Sequence, residues 1–195
     1  TNCYFVYEEG KNQVIFIDPA DKGEYIYDRL QERGFSVAAI LLTHGHFDHI
    51  WGLEALRKKS GAKVYACEGE KALCNDVRLN VSAQAGRACS VDADVYVKDG
   101  EEITVEGMTC RLIATPGHTE GSCCYYFPAG GFLISGDTLF ADSVGRTDLP
   151  TGSMGELVRS VKEKLFVLPD DTKVYPGHGE GTQIGHEKKY NPFLA

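Results

Sequence analysis

Three of the six histidines fall in one short stretch, Thr43-His44-Gly45-His46-Phe47-Asp48-His49, with an aspartate before the last of them. Imidazole is the commonest protein ligand for zinc, iron, copper and nickel. A lone histidine is more often structural, but an H-x-H-x-D-H pattern puts four potential ligands on one tight loop. A loop that short cannot aim all four at one ion without crowding, so two ions sharing it is the easier geometry. Two more histidines share a tripeptide, in Pro116-Gly117-His118 and Pro176-Gly177-His178, each directly after an apolar run. Proline and glycine there force a turn and aim the imidazole off a strand end. Asp137, in Ser135-Gly136-Asp137-Thr138, also follows such a run. A carboxylate there can bridge two metals at the ~3.5–4 Å separation of two-metal hydrolases, and it also suits an Asx turn or a helix cap. Asp18, in Ile17-Asp18-Pro19, is a third strand-end carboxylate, expected to orient the ligand loop through hydrogen bonds. His186 stands apart and reads as a surface residue.

Strand ends must hold these groups, and the apolar patterning supplies them. Residues 3–7 and 14–18 read as strands joined by a turn over 8–12, and 38–42 is a short apolar run typical of a strand buried on both faces. The ligand loop follows it directly, at the C-terminal strand end where α/β scaffolds favour ligand sites. Asp21 is expected to cap a helix over 22–33 that Gly34 stops, and Leu53 and Leu56 mark a second helix ending at Ser60-Gly61. A strand over 63–66 and a short helix over 69–75 follow. The stretch 76–100 is polar and irregular apart from a strand at 95–97. It reads as a loop or lid in which Asn80, Ser82 and Arg87 are solvated. Strands resume at 101–105, 109–114, 122–128 and 131–136, with Pro128-Ala129-Gly130 as a hairpin turn. Ser153 with Glu156 forms a capping box ahead of Leu157, Val161 and Leu165, and 173–175 is the last strand. With no linker or composition shift, residues 1–195 read as one α/β domain.

Composition narrows the function classes. The 195 residues are 43% hydrophobic and 25% charged, as in an ordinary globular protein. No apolar stretch reaches the ~20 residues of a membrane span, and Thr1-Asn2-Cys3-Tyr4 lacks the layout of a signal peptide. Net charge −8 argues against a nucleic-acid partner. Seven cysteines, without C-x-x-C pairs, read as reduced and mostly buried thiols of a cytoplasmic protein.

Taken together, Asp18, Thr-His-x-His-x-Asp-His at 43–49, Pro-Gly-His118, Gly-Asp137 and Gly-His178 resemble the metallo-β-lactamase-fold hydrolase superfamily, all five motifs in order. Ser-Gly-Asp-Thr-Leu-Phe at 135–140 with Gly145-Arg146, and the tail Ile184-Gly185 with Asn191-Pro192-Phe193-Leu194, are similar to short bacterial glyoxalase II-like thioesterases. The resemblance implies a four-layered αββα sandwich with mixed sheets inside and helices outside. It implies that His44, His46 and His118 bind one divalent ion, that Asp48, His49 and His178 bind another, and that Asp137 bridges. Asp48 and Asp137 then also take part in catalysis. Zinc is the expected metal, with iron or manganese as the other choices. The implied reaction is attack of a hydroxide between the metals on a small-molecule thioester such as S-D-lactoylglutathione.

Arg146 stands where such enzymes often carry a residue contacting glutathione, and its fork suits a substrate carboxylate as well as it suits a surface ion pair. Larger glyoxalase II enzymes add a C-terminal helical domain that supplies most glutathione contacts, whereas this sequence ends soon after His178, which leaves the acyl-thiol carrier open. Two other classes share the fold: persulfide dioxygenases, which hold one iron with two histidines and an aspartate, and, less in keeping with the charge, phosphodiester hydrolases.

Overall fold

Residues 1–194 are described in a computed structural model, and the chain divides into two compact units. The first comprises 1–97 together with 104–108. Its elements are β1 (Tyr4–Tyr7), β2 (Gln13–Ile17), α1 (Gly23–Glu32), β3 (Ser36–Leu41), α2 (Phe47–Ile50), α3 (Leu53–Ser60), β4 (Lys63–Cys67), α4 (Lys71–Asn75) and β5 (Val95–Val97). The sheet runs β1-β2-β3-β4-β5, antiparallel at β1/β2 and parallel from β2 onward. Parallel strands covered on their faces read as continuous apolar runs, and Ala39 to Leu42 are accordingly inaccessible. Val14, Phe16, Ile40 and Val64 of the sheet share one core with Leu30 of α1 and Leu53 and Leu56 of α3. Each such side chain contributes roughly 1.5–3 kcal/mol by leaving water. Helices α1 and α3 approach closely, for a Cβ on Gly23 would lie 2.0 Å from the carbonyl oxygen of Gly52.

Two expectations fail in this unit, both because side chains reach partners that a local pattern does not show. Asp21 is not the α1 cap. Lys22 occupies that position in the left-handed region with no capping side chain, while Asp21 pairs with Arg87 at 2.9 Å. The irregular stretch before β5 is not simply solvated either, since Asn80 and Ser82 are fully buried. Their side chains close the loop on itself: Asn80 Nδ2 and Ser82 Oγ both donate to the carbonyl of Cys89, and Asn80 Oδ1 accepts from the amide of Ser82.

The second unit comprises 98–103 and the chain from 109 onward. Along this stretch the chain forms β6 (Glu102–Val105), β7 (Met108–Ala114), β8 (Cys123–Phe127), β9 (Phe132–Gly136), β10 (Leu139–Phe140), β11 (Ser143–Val144), α5 (Met154–Ser160), β12 (Lys173–Pro176), β13 (Thr182–Gln183) and α6 (Ile184–Tyr190). The six-stranded sheet runs β13-β12-β9-β8-β7-β6, and β10 pairs with β11 as a separate hairpin. The 3-10 turn Pro128–Gly130 joins antiparallel β8 and β9, as the sequence predicts. Ser153 caps α5 by accepting from the amide of Glu156. The helix then continues as one π turn over Val161–Leu165, which keeps Leu157, Val161 and Leu165 in one core with Leu133 and Val174. Helix α6 and the short strands β10, β11 and β13 are additions to the sequence reading.

No helix among the described residues is long and apolar enough to cross a membrane. The seven cysteines are all thiols, five of them buried. Burial pushes the Cys110 thiol up to about 12 and that of Cys124 to about 11, so neither is a nucleophile at neutral pH.

Candidate metal centre

In the first unit the ligand loop leaves β3 and turns into α2. His44 and His49 have ring centroids 4.1 Å apart and His44 and His46 4.9 Å, and all three side chains are buried. Asp48 is partly exposed and accepts from the Thr1 hydroxyl at 2.6 Å. Beneath the loop sits Asp18, buried and in the left-handed region at φ 52°. Its carboxylate accepts from the Thr43 amide at 2.8 Å, from the Thr43 hydroxyl at 2.6 Å and from His49 Nδ1 at 2.9 Å. This is the orienting role the sequence predicts for it.

These bonds fix tautomers. A carboxylate only accepts, so His49 Nδ1 carries the proton and Nε2 the lone pair. Thr43 gives its one hydroxyl proton to Asp18, so the 3.1 Å contact between Thr43 Oγ1 and His44 Nδ1 is donated by the imidazole. His44 therefore also carries its lone pair on Nε2. Two other residues hold the loop from outside it. Buried Glu70 accepts from the amide of Gly45 at 2.8 Å, and the carbonyl of Asn80 accepts from the amide of Phe47 at 3.1 Å. A Cβ on Gly45 would lie 2.7 Å from Cys74 Sγ, so the loop packs where only glycine fits. Nothing local in the sequence marks Glu70 or Asn80 for this work.

In the second unit, Asp137 follows β9, and His118 and His178 follow β7 and β12. Asp137 Oδ2 lies 3.7 Å from His118 Nε2 and 3.4 Å from His178 Nε2. His118 Nδ1 donates to the carbonyl of Arg146 at 2.7 Å, which again leaves Nε2 with the lone pair. Gly117 is a left-handed residue at φ 138°, and a Cβ on it would lie 2.3 Å from the backbone nitrogen of Leu157. His178 is more exposed and meets the ring of Phe140 edge-on at 6.2 Å.

The donor chemistry fits a cation. Three imidazoles present Nε2 lone pairs because acceptors hold their Nδ1 protons, the arrangement found behind metal-ligating histidines. Nitrogen and carboxylate donors of this kind suit zinc, iron or manganese.

Other residues fall outside these clusters. Arg146 lies on the surface, its guanidinium in a two-point pair with Asp148 at 2.7 and 2.6 Å. That pairing holds the Asp148 carboxyl down to about 2. Trp51 follows α2, donates its indole N–H to the carbonyl of Arg87 and lies under that guanidinium at 4.4 Å. The Ser122 hydroxyl donates to the carbonyl of Thr115 at 2.7 Å, with that of Thr119 at 3.1 Å, a packing role in the turn that contains His118.

Comparison with known proteins agrees with this chemistry. The family model described as the metallo-beta-lactamase superfamily matches residues 1–178. A probable metallo-hydrolase of Bacillus subtilis, YqgX, is 37% identical, with 99% of this chain and 92% of that protein aligned. The hydroxyacylglutathione hydrolase GloC of Haemophilus influenzae is 33% identical over the same shares. Among solved structures, the B3 metallo-beta-lactamase BLEG-1 superposes with a TM-score of 0.93 at 37% identity, covering 99% of this chain and 93% of that one. TTHA1623 in a di-iron-bound form gives 0.86 at 35%, covering 99% and 94%. ETHE1 from Myxococcus xanthus gives 0.80 at 31%, covering 97% and 77%. These likenesses carry the α/β fold of mixed sheets and helices that the motifs imply, and the chain belongs to the metallo-beta-lactamase superfamily.

Proposed function

We propose that this metallo-hydrolase superfamily member cleaves small-molecule thioesters with two divalent ions, in the manner of the glyoxalase II-like enzymes. In this reading His44, His46 and His118 hold one ion, Asp48, His49 and His178 the other, and Asp137 serves both. Zinc is the proposed metal, and the di-iron form of TTHA1623 makes iron the next candidate. The observation that carries the reading is the tethering of His49. This residue is superfluous to a site of two histidines and one aspartate, yet it is buried and held in one tautomer by Asp18.

Bound divalent ions would supply Lewis acidity toward a carbonyl oxygen and a more acidic water. The chain's own residues do the rest. Asp18, Thr43 and the Arg146 carbonyl keep the imidazole lone pairs on Nε2, and the aspartates offset the positive charge. The leaving group is a thiolate, with a pKa of ~8.5 for an unperturbed thiol, so no protein acid is required to expel it. An anionic carrier such as a glutathione thioester, the substrate type in the name of GloC, would meet Arg146 after displacing Asp148. The cysteines as thiols and the net charge of −8 support a cytoplasmic protein without nucleic-acid or membrane partners.

A second reading is a persulfide dioxygenase with one iron held by two histidines and a carboxylate. The likeness to ETHE1 over 97% of the chain favours it. Metal analysis of the purified protein, run beside hydrolysis of S-D-lactoylglutathione, decides between them. Two metals per chain with thioester cleavage support the hydrolase. One iron, no cleavage and oxygen uptake with glutathione persulfide overturn it in favour of the dioxygenase.

A further inference from the structure

We infer that Glu187 of α6 is a positioning residue that clamps the β10–β11 hairpin and through it holds Asp137, His118 and His178 in register for a metal ion. The inference rests on the metal reading proposed above. Glu187 is fully buried. Its carboxylate accepts from the Thr182 hydroxyl at 2.6 Å, from Asn191 Nδ2 at 2.7 Å, and from the amide of Asp142 at 3.2 and 3.1 Å. Asn191 Nδ2 also donates to the carbonyl of Ser143 at 3.0 Å. Ala141 and Asp142 form the hairpin's tip and Ser143 starts β11, and Asp142 has a left-handed φ of 53° that non-glycine residues seldom adopt. Hydrogen bonds to an ionised acceptor are stronger than neutral ones, so burying this charge at the tip pins a turn that the backbone alone disfavours.

The pinned hairpin lies in the chain between Asp137 and Arg146, whose carbonyl holds His118. Leu139 starts β10 just after Asp137, and its carbonyl is held by the Ser135 hydroxyl at 2.8 Å. Gly145 follows β11, so close to Asp137 that a Cβ there would lie 1.8 Å from the Asp137 carbonyl oxygen and 3.3 Å from His118 Nδ1. The next residue, Arg146, provides the carbonyl that fixes the His118 tautomer. Phe140, inside the hairpin, is the ring against His178. A displaced tip therefore moves the chain at Asp137, the acceptor of His118 and the packing of His178 together.

Asp142, His186 and Glu187 bring potential ligand atoms within 4.8 Å of one another, which invites a separate metal reading. The lone pairs of Glu187 are already taken by three donors, and Asp142 Oδ1 bonds His186 at 2.7 Å. The cluster works as a clamp.

The test compares Glu187→Gln with Asp142→Asn. The glutamine sets an N–H2 against donors, whereas Asp142→Asn keeps the Asp142 amide and changes only the carboxylate that bonds His186. Amide exchange at Asp142 and Ser143 in metal-free protein reads the clamp, and zinc affinity by chelator competition with the Co(II) absorption spectrum reads the ligands. Glu187→Gln is expected to speed exchange, weaken zinc about 10–100-fold and alter the Co(II) spectrum, with Asp142→Asn near wild type on all three. Thr182→Val removes a single donor and should fall between them, which keeps the question open to decision if Glu187→Gln does not fold. Wild-type affinity and spectrum in Glu187→Gln, or in Thr182→Val where Glu187→Gln is unfolded, would overturn the inference, as would equal losses in Asp142→Asn. Wild-type protein that takes up no ion would overturn the metal reading itself, and unchanged exchange in the variants would then dispose of the clamp separately.

Discussion

His49 Nδ1 donates to Asp18 Oδ2 at 2.9 Å, and both side chains are shut off from water. One contact thereby ties the last residue of the ligand loop to the end of β2, a strand 31 positions earlier. The same carboxylate holds Thr43, which in turn orients His44. Asp18 is thus the common acceptor beneath two imidazoles.

Asp18→Asn should therefore weaken metal binding about 10–100-fold while leaving the fold in place, since the amide fills the same volume but accepts on one side only. Competition with a chromogenic chelator checks this. Asp18→Ala should be harsher, costing about 1–3 kcal/mol in urea unfolding for each buried donor of Thr43 and His49 that it leaves unpaired.

Chelation should lower thermal stability. Ions present at 100 times their dissociation constant add about 2.7 kcal/mol per site, and about 2–4 °C accompany each kcal/mol in a protein of this size. A fall in Tm of roughly 10–20 °C in EDTA for the two sites together, reversed by added zinc, is the expected result, read by calorimetry.

Asn80→Ala should open the loop before β5. It removes the donor to Cys89 and the acceptor of the Ser82 amide, a loss of about 1–3 kcal/mol if the groups left behind stay buried. Limited proteolysis should show new cleavage within 76–91, and metal affinity should fall as well, since the carbonyl of Asn80 holds the amide of Phe47.

Asp148→Asn should free Arg146 and lower KM for an anionic thioester, with little change for a neutral one. Arg146→Ala should do the reverse. The pair itself is readable by carboxyl NMR. Its folded pKa of about 2 lies below the ~3.9 of an unperturbed aspartate. The pairing's contribution is therefore present above about pH 4 and is lost as pH falls through about 2. In Arg146→Ala the Asp148 titration should return to the ordinary range.

How much of this was legible beforehand depends on the kind of interaction. Histidines spaced H-x-H-x-D-H after an apolar run, Pro-Gly-His repeated at two strand ends and Asp137 after Gly136 declare a metal chemistry by residue type alone. Periodicity declares the elements beneath them, because Leu157, Val161 and Leu165 or Ala39 to Leu42 are apolar for the one reason that they are buried. Other features leave no such trace. Asn80, Ser82, Glu70 and Glu187 are polar residues in irregular or helical segments whose composition reads as solvated. All are buried because the fold satisfies them, Asn80 and Ser82 through main-chain groups of their own loop and Glu70 and Glu187 through donors from other segments. Arg146 met Asp148, and Asp21 met Arg87 in place of a helix end, because an exposed charge takes whichever opposite charge the fold brings near. Residue chemistry and burial patterning were set by the sequence itself. Which lone pair each imidazole presents, and what holds the loops that carry them, were decided only when the chain brought its hydrogen-bond partners together.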